Sequence, residues 1–207
     1  MGLSSAGPHP CQFSLKEVVD VIAVRGHLEG MAARLVAENG VSAALNHDLQ
    51  QCLDAGDRAM ATGMVSYDDH AAYTAMNDRF HALILAACDN KALQRLMAAN
   101  DRLSLASASS LLPMQCLAHK ALQCMRYAHH QHHILVQAIK RGEGARARAL
   151  AAEHTEAARQ NMYMAVASRE QASSLVPGIR LVTEPGPAAT AGPSAGPSAG
   201  LFAGLFA

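Results

Sequence analysis

Tryptophan is absent from the sequence, and aromatic residues make up only 4% of its 207 residues. So few aromatic residues disfavour a core built mainly from large rings. Alanine, leucine and methionine dominate the hydrophobic half of the composition, which favours helices packed through aliphatic side chains over a strand-rich fold. The length is sufficient for one domain with a sizeable core and some additional tail, so we predict an all-α domain.

An excess of either charge is also lacking, because Lys+Arg and Asp+Glu number 17 each. Without a basic patch, the chain has no electrostatic footprint for nucleic acid. The first ten residues contain neither the charged nor the apolar region of a signal peptide, and no run approaches the ~18 apolar residues of a membrane span. We therefore expect a cytoplasmic protein without a membrane partner.

The five cysteines form no CxxC pair, and both their odd number and their irregular spacing argue against a disulfide framework. Reduced cysteines that serve as small apolar residues are typical of an intracellular protein. The alternative, a disulfide-stapled fold, is the weaker interpretation.

Periodicity predicts six helices between a leader, residues 1–13, and a flexible low-complexity tail, residues 169–207. The first helix follows a capping box at Ser14 and Glu17. The tail ends in tandem GPSA and GLFA repeats, which cannot build a core. The helical domain should span residues 14–168, with helices near 15–39, 42–62, 67–88, 91–111, 115–140 and 143–168.

Eleven histidines are unusual for this length, and three of them lie on apolar helix faces. These are His81, His132 and His154, and Asn77 lies one turn before His81 on the same face. Three imidazoles and an amide oxygen that converge inside a bundle would form a transition-metal site. The alternative is that each histidine is hydrogen-bonded separately in the core, although three unpartnered buried rings would each cost about 1–3 kcal/mol.

A neutral asparagine does not offset the charge of a divalent ion, so such a site would retain positive charge and favour an external carboxylate ligand. Arg25 lies among apolar residues of the first helix and could hold that carboxylate through its guanidinium group. An i,i+4 salt bridge between Arg25 and Glu29 is the alternative of equal weight.

Three segments resemble the C-terminal effector-binding (FCD) domain of FadR-like GntR transcription regulators. They are VIAVRGHLEGMAARLVAENG (21–40), NDRFHALILAACDN (77–90) and HHILVQAIKRGEGARARALAAEHTEAAR (132–159). The family pattern has Asp or Asn four residues before a His that directly follows a Phe, here Asn77, Phe80 and His81, and then His132 and His154 in later helices. The match extends over about residues 15–165.

The resemblance implies an antiparallel bundle of six or seven helices that binds a divalent metal, zinc or nickel, through those four positions. It also implies a small organic acid as effector, a homodimer, and control of a DNA-binding domain. Asn77 stands where aspartate is commoner in the family. Only residues 1–13 precede the first helix, so we expect DNA contact solely through a winged-helix domain that this chain lacks.

Two other functions remain open from the sequence. One is a metal-dependent hydrolytic enzyme. We do not expect it, because no acidic residue is clearly placed on the inward faces as a general base, with Asp78 and Glu29 the only nearby candidates, and HExxH is absent. The other is a truncated interaction domain that binds no DNA and no ligand.

Overall fold

A computed structural model describes residues 13–61, 63, 66–103, 118–167 and 182–183. Its six helices are α1 Leu15–Asn39, α2 Ala43–Ala59, α3 Tyr67–Ala87, α4 Lys91–Leu103, α5 Ala118–Lys140 and α6 Gly144–Ala167. Two short strands, β1 Phe13–Ser14 and β2 Val182–Thr183, complete the described elements. The prediction of an all-α bundle is confirmed, and among the described residues no helix is long and apolar enough to cross a membrane.

Local signals set the helix ends. Ser14 and Glu17 form the predicted capping box at the start of α1, and Ser66 and Asp69 form a second box at the start of α3. The side chain of Asn90 caps α4 by accepting a hydrogen bond from the amide of Leu93. The predicted end of the fourth helix, beyond residue 103, lies outside the described residues.

Helix α1 is the central element of the bundle. It packs along α6 and also contacts α3, α4 and α5, while α2 lies against α3 and α5. Two glycines permit the close approach of α6: a Cβ atom on Gly26 would lie 3.1 Å from Thr155 Cβ, and one on Gly30 would lie 2.9 Å from the carbonyl oxygen of Arg148. His154 lies on α6 between these two contact residues, next to Thr155, and is buried.

The core is aliphatic, as the composition predicts, and its largest fully buried rings are Tyr73 and Phe80. Cys52 and Cys88 are buried free thiols, in agreement with the interpretation of the cysteines as small apolar residues. Several polar side chains are also buried in this otherwise apolar interior: Glu29, Asn77, Asn100, His129, Gln131, His132, His154 and Thr155.

One boundary differs from the sequence prediction. Phe13, which we placed in the leader, pairs in parallel with Val182, and Ser14 pairs with Thr183. Val182 is fully buried and β2 contacts α1. The residues flanking position 182 show no helical or alternating pattern long enough to reveal this pairing, because a two-residue strand depends on its partner rather than on its own sequence.

Candidate metal centre

Three histidines from three helices converge in the interior. His81 comes from α3, His132 from α5 and His154 from α6, and one ring nitrogen of each lies within 4.8 Å of the other two. The Nε2 atoms of His132 and His154 are 3.2 Å apart. His132 is fully buried, and only 10% of the His81 side chain is exposed.

Hydrogen-bond partners orient two of these rings. The amide oxygen Oε1 of Gln131 lies 3.1 Å from Nδ1 of His154, which places the ring proton on Nδ1 and leaves the lone pair on Nε2. The carboxylate oxygen Oε2 of Glu29 lies 3.4 Å from Nδ1 of His81 and favours the same tautomer there. Such outer contacts fix the ring orientation of metal-binding histidines and increase their basicity.

Burial keeps the three rings neutral. It lowers the pKa of His81 to about 3, with a further contribution from the positive charge of Arg25. It likewise lowers the pKa of His154 to about 3, with His81 as the next cause, and lowers the pKa of His132 well below its usual value. Neutral imidazole is the form that binds a metal ion, so all three rings are ready ligands at neutral pH.

The remaining ring nitrogens show that the donor set fits a metal. Nε2 of His81 and Nδ1 of His132 are buried and have no hydrogen-bond partner among the described residues. Because the ring proton of His154 is donated to Gln131, the protein alone does not supply hydrogen-bond partners for the remaining buried ring nitrogens. Nitrogen donors of this kind suit zinc or nickel, and the ion would be held by His81, His132 and His154.

Asn77, the fourth predicted ligand, is buried one helical turn before His81 on α3. Its place next to His81 follows from the i,i+4 spacing. Coordination through its amide oxygen stays a prediction. Phe80 closes the cluster from another side, with its ring centroid 4.3 Å from that of His132.

A cavity of about 490 Å³ opens beside His81. Its wall combines aliphatic side chains with four charged ones, which are Arg25, Glu29, Asp78 and Asp101. Its volume is in the range of small-molecule sites. Since Arg25 is the single cation among these lining residues, the cavity by itself is acidic and does not favour a free anion.

Arg25 is held by two carboxylates. Its Nε atom donates to Oε1 of Glu29 at 2.7 Å, and one terminal nitrogen donates to Oδ1 of Asp101 at 2.6 Å. Burial lowers the pKa of Arg25, but the two carboxylates more than offset this effect and raise the pKa above its usual value. The salt bridge to Glu29 that the sequence left as an alternative is therefore present, and the same side chain also lines the cavity. Effector binding by Arg25 stays a prediction.

Glu29 corrects one sequence argument. The sequence pattern gives Glu29 only as a nearby candidate and places no acidic side chain clearly inward, yet Glu29 is buried and contacts Arg25, His81 and Thr155. Periodicity underrated it because a charged residue is assigned to the solvent face unless its partners are known. Gln131 and Asp101 are not found from the sequence for a related reason, because their contacts to His154 and Arg25 span 23 and 76 residues.

Comparison with known proteins agrees with this geometry. The model of the FCD domain matches residues 20–157, which is well over half of the chain. The chain belongs to the FCD domain family. The match includes His81, His132 and His154, and it supports an effector-binding domain of a transcription regulator. No curated protein matches the chain significantly.

Proposed function

We propose that this FCD domain senses a small carboxylate at a metal-containing pocket. The observation that carries the proposal is the opening of an acidic cavity directly onto His81, which belongs to the triad of buried neutral imidazoles. A divalent ion held by His81, His132, His154 and Asn77 would add two positive charges beside the cavity. That charge would make the site attractive to an anion that the protein alone would repel.

Arg25 supplies the second anchor for the carboxylate. Its guanidinium group can exchange a solvent-accessible partner, Asp101, for a ligand oxygen while it keeps the buried bond to Glu29. Ligand binding would thus reposition α4, which carries Asp101, relative to α1, which carries Arg25. A differential contact of this kind can couple the pocket to a DNA-binding unit outside the FCD domain and to a homodimer interface.

Metal content tests the first part of the proposal. Elemental analysis of the purified full chain should show that His132→Ala loses one equivalent of zinc or nickel per chain. The exposed neighbour His130 provides the control, because His130→Ala removes an imidazole from the same helix without touching the triad. A His132→Ala protein that is folded by circular dichroism and retains the wild-type metal content would contradict the metal site.

Thermal shift against a panel of small mono- and dicarboxylates tests the second part. A ligand present at ~100 times its Kd should add about 2.7 kcal/mol to the unfolding free energy of the metal-loaded protein. Arg25→Lys should weaken the response because it keeps the charge but loses the planar pair of donors. Arg34→Lys is the matched control, since Arg34 forms the same i,i+4 pair with Glu38 on the exposed side of α1. Equal responses in the two variants would remove Arg25 from the ligand site.

A hydrolytic function is the second candidate, and the inward position of Glu29 near His81 favours it. Metal-dependent turnover of an activated ester that disappears in Glu29→Gln would support hydrolysis. Binding of a carboxylate without turnover of such esters would support the sensor.

A further inference from the structure

A second group of metal-ligating side chains lies between α2 and α5, and it is separate from the buried triad. It consists of Asp57 near the end of α2 and of His129 and His133, one turn apart on α5. We name it the Asp57 cluster. One ligand atom from each of its three residues lies within 4.8 Å of the others. The proposed sensing function uses none of these residues.

The two distances from Asp57 to the histidines of the cluster match those around a tetrahedral ion. Oδ1 of Asp57 lies 3.2 Å from Nε2 of His129 and 3.2 Å from Nε2 of His133. With metal–ligand bonds of about 2.0–2.1 Å, neighbouring ligand atoms on a tetrahedron are about 3.3–3.4 Å apart. The carbonyl oxygen of Leu53, one turn before Asp57 on α2, lies 3.1 Å from the same nitrogen of His129 and is a further oxygen at suitable range.

The cluster is built into the helix contact rather than formed by loose surface groups. The His129 side chain is only 3% exposed, and its Nδ1 atom has no hydrogen-bond partner among the described residues. Its ring occupies the space left by the missing side chain of Gly56, where a Cβ atom would lie 2.1 Å from the ring carbon Cε1. Asp57 and His133 are 57% and 33% exposed, so the outer side of the cluster is open to an ion from solution.

The two clusters use different faces of α5. His132 points towards His154 on α6, whereas His129 and His133 point towards α2. The ring centroids of His129 and His132 are 5.7 Å apart, so the faces adjoin but share no ligand. The Asp57 cluster also differs from the histidine triad in its ligands, because the carboxylate of Asp57 offsets part of the charge of a divalent ion.

We propose that Asp57, His129 and His133 form a second, solvent-accessible site for a divalent transition metal such as Zn²⁺, which links α2 to α5. Two imidazoles and one carboxylate, with two histidines at i,i+4 on a helix, are a ligand set that zinc accepts with a position left for water. The ion takes the place that ring protons now occupy between the two Nε2 atoms and Oδ1.

Zn²⁺ titration of the chelator-stripped full chain against a chromophoric competing chelator tests this site. The wild-type protein should bind two equivalents per chain. His133→Ala and Asp57→Ala should each bind one, because each removes a ligand atom, and both are expected to fold because these side chains are partly exposed. His130→Ala, which removes an exposed imidazole between the two ligands of α5, should still bind two.

The titration separates this site from the triad. His132→Ala should also bind one equivalent, and adding His133→Ala to that variant should abolish the remaining one. A wild-type stoichiometry of one that His132→Ala abolishes would overturn the second site while supporting the first. A second equivalent that survives in His133→Ala, or that His130→Ala also removes, would show adventitious binding to surface histidines and overturn the proposal.

Discussion

Arg25 connects the chemistry of the cavity to that of the histidine triad. Of its two carboxylate partners, Glu29 is 9% exposed and Asp101 is 48% exposed at the side chain. An ion pair with one well-solvated partner contributes only about 0–1 kcal/mol to stability. Breaking a buried pair costs more, because it leaves an uncompensated charge in the interior. Asp101 is therefore the partner that the proposed carboxylate ligand would displace.

Removing the charge of Asp101 should strengthen effector binding. In Asp101→Asn the ligand no longer competes with a carboxylate for Arg25, and the acidic cavity loses one negative charge. We expect an affinity increase of up to about fivefold, which corresponds to the ~1 kcal/mol upper value of an exposed pair. Isothermal titration with the carboxylate identified by thermal shift measures this change.

The control for that measurement is Asp20→Asn. Asp20 pairs with Lys16 at i,i+4 on the same helix as Arg25, but both side chains are exposed and neither lines the cavity. The affinity of Asp20→Asn for the carboxylate should equal that of the wild type. Weaker binding in Asp101→Asn than in Asp20→Asn would mean that Asp101 helps to hold the ligand rather than to compete with it.

At the scale of elements, the contact between α2 and α5 depends on one glycine. The α2 backbone at Gly56 lies directly against the ring of His129, at a distance that leaves no room for a methyl group. His129 in turn contacts the carbonyl oxygen of Leu53 and the carboxylate of Asp57, both on α2. The glycine therefore positions the ring, although glycine is unfavourable in a helix interior.

Gly56→Ala should lower the free energy of unfolding by about 1–3 kcal/mol, the range typical of overpacking in a core. In a His129→Ala background the same substitution should be neutral or stabilising, because the clash is gone and alanine exceeds glycine in helix propensity by about 1 kcal/mol. Urea denaturation of the four proteins in this double-mutant cycle gives the coupling. Equal effects of Gly56→Ala in both backgrounds would show that the ring can move aside.

At the scale of the whole molecule, the buried triad makes metal-free stability depend on pH. Folding lowers the pKa of His81 and His154 to about 3 and that of His132 well below its usual value, while unfolded histidines titrate near 6.5. Below pH 6.5 the unfolded chain therefore binds protons that the folded protein does not. The free energy of unfolding therefore has its full value above pH 6.5 and decreases as the pH falls towards 3.

Unfolding free energies of the chelator-stripped protein should decrease between pH 7 and pH 5, by up to about 1.4 kcal/mol per pH unit for each of these histidines. His154→Ala should show a shallower slope, since one titrating ring is removed. Urea denaturation at several pH values measures both slopes. A wild-type stability that is constant over this range would mean that the three rings are protonated or solvated in the folded state.

The sequence by itself determined the helical class, the starts of the first four helices and of the sixth, and the inward faces of the three triad histidines. The predicted start of the fifth helix, near residue 115, lies outside the described residues. Apolar residues at helical spacing and side-chain caps such as Ser14, Ser42 and Ser66 act within a few residues, so they can be read locally. The same periodicity selects His132 among the four histidines of residues 129–133, because His132 shares a face with Leu135 and Val136, and it gives His129 as a partial second.

The tertiary structure alone decided which of these faces meet and what lies between them. Glu29, Gln131 and Asp101 became part of the site through contacts with other helices, and the Asp57 cluster arose because α5 presents two further histidines to α2. The pairing of Phe13 with Val182 has the same origin. The local pattern of residues determines which side of a helix is apolar. The polar partners of a side chain depend instead on its distances to residues of other helices, and the sequence of a single helix does not contain those distances.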